Sequence, residues 1–258
     1  MRKYVRMAPE VLAILGSYYP KIWSMVRKKK RPQEFYQVYH KMIKKACKGP
    51  FRIIYNNFHV ENVPNSPCIF IPNHIHYFDP ITFLGFFDRN IFFIGKKETE
   101  KYFLVGNIMK NIGSIFLDRS SIRDGIRMIN AASKYLNENN DTSIVIFPEG
   151  TRTKDKEKYS MQEFHPGSFK IAYNTKLPIV PTVLYGTFNI LNQKVHKKKY
   201  VVTMSFLKPI TYEEYKDMTT IELANKVHDM MVEELNKVRE DFAIKDKYYN
   251  SKMYKKGK

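Results

Sequence analysis

Pro72-Asn73-His74-Ile75-His76-Tyr77-Phe78-Asp79-Pro80 sets a histidine five residues before an aspartate, directly after an apolar run. A carboxylate so placed can accept the imidazole Nδ1–H, fix the tautomer and leave Nε2 free to take a proton. In an ideal helix residues i and i+5 point about 140° apart. The pair can therefore meet only if the segment begins as a turn and becomes helical afterwards. By itself a His-x4-Asp spacing is common, and a structural histidine would also satisfy it. Two metal ligands, His74 and His76, are a third reading. A metallo-hydrolase of the His-x-His-x-Asp-His type would need Asp at 78 and His at 79, where Phe78 and Asp79 stand.

Three further blocks carry chemistry or shape. Gly113-Ser114-Ile115-Phe116-Leu117-Asp118-Arg119 delivers an Asp-Arg pair to the start of a helix. Arg119 there suits bidentate phosphate binding, and a surface ion pair capping the helix is the plainer alternative. Phe147-Pro148-Glu149-Gly150-Thr151-Arg152 gathers a carboxylate, a flexible backbone and a guanidinium within four residues. Glu149 could accept from a substrate hydroxyl and Arg152 could meet a phosphate, with Gly150 permitting a positive φ or a close backbone approach. Leu177-Pro178-Ile179-Val180-Pro181-Thr182-Val183 has no reactive group, so Pro181 and its neighbours read as an apolar wall or as core. Lys170, after Phe164-His165-Pro166-Gly167, could add another cation.

These blocks need elements to position them. Short apolar runs at Ile53–Tyr55, Cys68–Ile71, Ile91–Ile94, Ser114–Leu117, Ser143–Phe147, Ile179–Leu184 and Tyr200–Leu207 read as buried strands. Helical stretches lie between several of them. The clearest runs from a Ser121 N-cap through Ile122, Ile126, Ile129 and Leu136. Such alternation implies an α/β fold with a largely parallel sheet covered on both faces. Thr219 with Glu222 forms a capping box for a last helix. Before the core, Val11–Val26 shows helical spacing that Pro20 should kink or divide, and a second helix spans about Gln33–Lys48. The organisation expected is a basic amphipathic segment over 1–50, an α/β domain over 51–240 and a basic tail over 241–258, frayed from about Lys245.

Charge is the informative bulk property. The 258 residues carry 44 Lys and Arg against 25 Asp and Glu, a net +19. Residues 1–50 hold 13 basic and two acidic residues, a surplus of 11. Trp23 beside Arg27-Lys28-Lys29-Lys30-Arg31 suits a helix lying in an anionic headgroup layer. A helix packed on the domain with a solvated basic run is the alternative. No stretch approaches the roughly 18–20 apolar residues of a membrane span, and a signal peptide is not expected. The expectation is a peripheral or monotopic protein on the cytoplasmic face of a membrane. Cys47 and Cys68 lack metal-ligand spacing and read as ordinary reduced thiols.

Together the four blocks, in order, closely resemble the glycerolipid acyltransferase family, in particular its lysophosphatidic acid acyltransferases. The resemblance spans about Asn73 to Thr182. It implies an α/β fold with a mostly parallel mixed sheet flanked by helices, and transfer of a fatty acyl group to the sn-2 hydroxyl of lysophosphatidic acid. The donor would be acyl-coenzyme A or acyl carrier protein, with no cofactor, no metal and no nucleic acid partner. It implies His74 as general base supported by Asp79, with acceptor binding by Arg119, Glu149, Gly150, Thr151 and Arg152. Asn73, Lys170 and Pro181 are accessory. Ile75, His76, Tyr77 and Phe78, together with Thr153 and Thr182, depart from the residues common at these places, which bears on acceptor identity. Another lysophospholipid or glycerol 3-phosphate is the alternative acceptor, and a non-catalytic basic binding protein is the rival of a different class.

Overall fold

The computed structural model describes residues 2–118, 121–155, 159–192 and 194–251. Seven strands form one sheet: β1 (Ile53–Phe58), β2 (Ile69–Pro72), β3 (Asn90–Lys96), β4 (Ile115–Leu117), β5 (Thr142–Val145), β6 (Ile179–Tyr185) and β7 (Tyr200–Phe206). Their order is β1-β7-β6-β2-β5-β3-β4. Every pairing is parallel except β6 with β7, so β1 and β7 run against the other strands. The sheet is mostly parallel and mixed.

Period-two alternation distributes the apolar residues to two cores. Cys68 just before β2, Phe70 of β2, Ile91 and Phe93 of β3, Val145 of β5 and Val180 and Leu184 of β6 point to one side. That side is covered by α1 (Arg2–Arg27), α2 (Pro32–Lys48), α3 (Asp79–Phe86) and α4 (Phe103–Asn111). Ile69, Ile71, Phe92, Ile144, Ile179 and Val183 point to the other. There they meet α5 (Ile122–Glu138), α6 (Lys170–Thr175), α7 (Tyr212–Tyr215) and α8 (Thr220–Asn250). Because both faces are covered, the central strands read as unbroken apolar runs in sequence.

Several expectations change. Pro20 does not divide the first helix: α1 is continuous over 26 residues, about 39 Å at 1.5 Å per residue. Proline at position 20 forfeits the bond to the Gly16 carbonyl, and both residues lie on the exposed side, where water can serve that oxygen. The 1–50 segment packs on the main domain. Phe35, Tyr36, Tyr39, Met42, Ile43 and Cys47 of α2 are buried in the main core, and Tyr36 donates its hydroxyl to the Phe87 carbonyl at 2.9 Å. Nor does fraying begin at Lys245. Helix α8 continues to Asn250, with Phe242 buried, Lys197 paired with Asp246 and Asn250 bonded to Lys198 and Lys199. The Thr219–Glu222 capping box and the Ser121 cap form as expected.

Candidate active site

Three adjacent strands, β5, β2 and β6, deliver the candidate residues from their carboxyl ends, the edge where open α/β sheets bind ligands. Residues 73–78 after β2 form a loop and turn, and α3 begins at Asp79. The chain thereby wraps around its own carboxylate. Asp79 Oδ2 accepts from His74 Nδ1 at 2.8 Å, from the Ile75 amide at 2.7 Å and from the His76 amide at 2.8 Å. Oδ1 accepts from the Thr187 hydroxyl at 2.6 Å. Asp79 and Thr187 are both fully buried, whereas the His74 side chain is 19% exposed. The required turn-then-helix geometry is therefore met. With Nδ1–H directed at Asp79, Nε2 carries the lone pair, and it has no protein partner among the described residues.

The His74 peptide is held on every side. Its N–H donates to Glu149 Oε1 at 2.6 Å, and its carbonyl accepts from the Thr153 amide at 2.8 Å. Phe147 lies against the imidazole, ring centroids 4.3 Å apart. One residue earlier, Asn73 exchanges two hydrogen bonds with the Leu184 peptide of β6, accepting at 2.7 Å and donating at 3.1 Å. Pro181 pairs with Ile71 in the parallel register. It lacks an N–H, and its carbonyl accepts from Leu207 at 3.0 Å, so it serves the sheet as core.

Glu149 occupies a different position from the one its type suggested. Oε1 is committed to the His74 amide and Oε2 to the Gln162 amide and side chain, at 3.0 and 3.3 Å. The carboxyl is buried beneath the loop, and burial raises its pKa despite these donors. The geometry makes it a brace for His74. Gly150 adopts φ +66, the left-handed turn that lets Glu149 point inward while Arg152 emerges. Thr151 is exposed, with its carbonyl near the Gln162 side chain.

Arg152 packs the face of its guanidinium on Tyr77, with Cζ 3.4 Å from the ring centroid. It forms no hydrogen bond or ion pair among the described residues, so its N–H edges remain free for an anion. Burial holds His76 below its usual pKa, outweighing the nearby Asp79 carboxylate. Among the described residues no three His, Cys, Asp or Glu side chains converge as a metal cluster would.

A sequence model of acyltransferases matches residues 56–185, half of the chain and all of this site except Thr187. The protein belongs to the acyltransferase family. A yeast (Saccharomyces cerevisiae) 1-acyl-sn-glycerol-3-phosphate acyltransferase is 31% identical over 187 residues, 72% of this chain and 61% of that one. A probable enzyme of the same name from Mycoplasma pneumoniae is 28% identical over 180 residues, 65% of each chain. The chain thus spans somewhat less than two thirds of these relatives' length. The solved structure of the 1-acyl-sn-glycerophosphate (LPA) acyltransferase of Thermotoga maritima superposes with a TM-score of 0.68 at 21% identity, covering 93% of this chain and 98% of that one. At that identity the likeness establishes the fold.

Within this acyltransferase fold one further expected cation, Lys170, stands apart from the cluster. Arg119 lies outside the described residues. Lys170 opens α6 and lines a depression with Ile126, Tyr173 and Met218 that shares no residue with the His74 cluster. Asp118 is reached by Lys97 Nζ at 3.0 Å. Thr187, Thr153 and Tyr77 are participants that spacing did not reveal as such. Thr187 in particular lies 108 residues beyond its partner and carries no local signature.

Proposed function

We propose that this acyltransferase moves a fatty acyl group from a thioester donor to the sn-2 hydroxyl of lysophosphatidic acid, giving phosphatidic acid. One observation carries the reading: an imidazole with Nδ1 fixed on a buried carboxylate at 2.8 Å and Nε2 open, in a loop whose Tyr77 holds a guanidinium with free edges. His74 Nε2 takes the proton from the acceptor hydroxyl as that oxygen attacks the thioester carbonyl. The tetrahedral intermediate then expels the thiolate, which recovers the proton from the imidazolium. Asp79 stabilises that imidazolium, and general base catalysis of this kind contributes about 10²–10⁴-fold. Arg152, with Arg119, binds the acceptor phosphate and makes the attack effectively unimolecular. The Ile75 and His76 amides are already bonded to Asp79, so the oxyanion must find its donors elsewhere.

The donor is acyl-coenzyme A or acyl carrier protein, either of which suits a chain of net charge +19, and no cofactor is needed because the thioester is already activated. No described helix is long and apolar enough to cross a membrane. Helix α1, however, leaves Val5, Leu12, Tyr19, Trp23 and Val26 exposed. At 100° per residue these fall within an arc of about 60°, opposite buried Met7, Ile14 and Met25. Arg27 stands over Trp23 at 4.6 Å, before the run of cations. That stripe supports peripheral attachment to an anionic membrane, which we assign to the cytoplasmic face, with lysophospholipid rather than nucleic acid as the partner.

Thiol release from palmitoyl-coenzyme A by the purified protein, with and without lysophosphatidic acid, tests this. Release should depend on the acceptor and vanish in His74→Ala, whose circular dichroism should stay native because Asp79 keeps its amide and Thr187 bonds. Substantial transfer by a folded His74→Ala protein would refute the assignment. A panel including glycerol 3-phosphate and other lysophospholipids identifies the acceptor.

A further inference from the structure

Residues Tyr102, Phe103, Leu104 and Val105 form four consecutive exposed apolar side chains, with Phe103 at 87% the most exposed large hydrophobic residue described. Isolated exposed apolar residues are ordinary, but an unbroken run is disfavoured in a soluble surface unless something covers it. Their geometry explains the run. The first turn of α4 stands clear of the body, and burial begins only with Gly106, Ile108 and Met109. Gly106 permits this, because a Cβ there would run into the Glu100 carbonyl of the preceding turn.

We infer that this first turn of α4 is a wedge that enters the acyl region of an anionic lipid leaflet, as a membrane contact additional to α1. Three observations select lipid as the occupant. The wedge follows the carboxyl end of β3, and β3 is parallel to β5 and β2, so it lies at the sheet edge that carries His74. It also belongs to the layer of helices that includes α1. Finally, the local carboxylates are neutralised within the protein. Glu98 is paired with Lys96 at 3.1 Å, Glu100 with Lys110 at 3.1 Å and Asp118 with Lys97 at 3.0 Å. Lys101 has no ion-pair partner among the described residues. A surface with apolar tips, an interfacial tyrosine and no unpaired local carboxylate complements anionic headgroups over acyl chains. The purpose of the wedge rests on the lipid-acceptor reading above, but its test does not require turnover.

Trp23 is the single tryptophan of the chain, so a Trp23→Phe/Phe103→Trp protein carries one reporter at the wedge. With vesicles of phosphatidylcholine and phosphatidylglycerol, its emission should shift to the blue and be quenched by lipids brominated in their acyl chains. Phe103→Ser should weaken vesicle binding about tenfold or more, the scale of one buried phenyl, while leaving turnover of a detergent-dispersed acceptor intact. Unchanged emission at position 103 while Trp23 of the unsubstituted protein is quenched would overturn the inference and leave α1 as the only contact. A blue shift without vesicles that grows with protein concentration would overturn it in favour of a second copy of this chain. If vesicles quench the reporter but no acceptor is acylated, the wedge stands and the proposed activity fails.

Discussion

Thr187→Val removes one hydroxyl and almost nothing else, and the structure makes its consequence calculable. The Thr187 hydroxyl donates to Asp79 Oδ1 at 2.6 Å, with both residues fully buried, so water cannot replace it. A hydrogen bond to a charged group contributes about 1.5–3 kcal/mol. At roughly 2–4 °C per kcal/mol for a chain of this size, Tm should fall by about 3–12 °C. Thr187→Ser has the opposite content: it keeps the hydroxyl and loses one methyl, costing about 1 kcal/mol. In the valine variant Asp79 Oδ2 keeps its bonds to His74, Ile75 and His76, but the carboxylate loses its anchor on the far oxygen. We expect kcat to drop by up to about tenfold, corresponding to about 1.4 kcal/mol, with little change in KM for the acceptor. Thermal unfolding and steady-state thiol release on both variants are the assay. A valine protein as stable and active as the serine protein would refute the reasoning that this hydroxyl holds the carboxylate.

Tyr77→Ala should raise KM for the phosphate-bearing acceptor by about 2- to 30-fold, from a cation–π contribution of about 0.5–2 kcal/mol, with kcat little changed. Tyr77→Phe should restore it, and equal KM values in all three proteins would exclude the stack as a positioning device. Gly186, at φ +95, turns the chain from β6 into Thr187, and a Cβ there would meet the Val201 carbonyl and the Phe242 ring. Gly186→Ala should therefore lower stability by about 2 kcal/mol or more, read from urea unfolding. Burial raises the Glu149 pKa above its usual 4.5, so the folded protein binds that proton more tightly than the unfolded chain. Its contribution to stability is fully present below 4.5 and is lost as pH rises through the elevated folded value. Urea unfolding across that window should show this decline in the native protein and lose it in Glu149→Gln; an unchanged profile would contradict it.

What the sequence determined by itself is local. His74 and Asp79 were legible because five residues of chain suffice to bring them together once a turn precedes α3. Gly150 was legible because a left-handed turn needs no distant partner, and the Thr219 and Ser121 caps because a helix end is satisfied by its own neighbours. The strands of the parallel sheet were legible because burial on both faces leaves unbroken apolar runs. Tertiary structure decided whatever depends on which strand ends become neighbours. Strand order sets β5 and β6 on either side of β2. That adjacency brings Thr187 to Asp79, turns Glu149 inward to brace the His74 amide, and ties Asn73 to Leu184. It also lays Arg152 across Tyr77 while leaving Lys170 in a separate depression. The same holds for the reversed β1–β7 pair, for α8 extending to Asn250 and for the exposed first turn of α4. Residue type states what a side chain can do, but hydrogen bonds and burial act over a few ångströms, and only the folded chain fixes which groups lie that close.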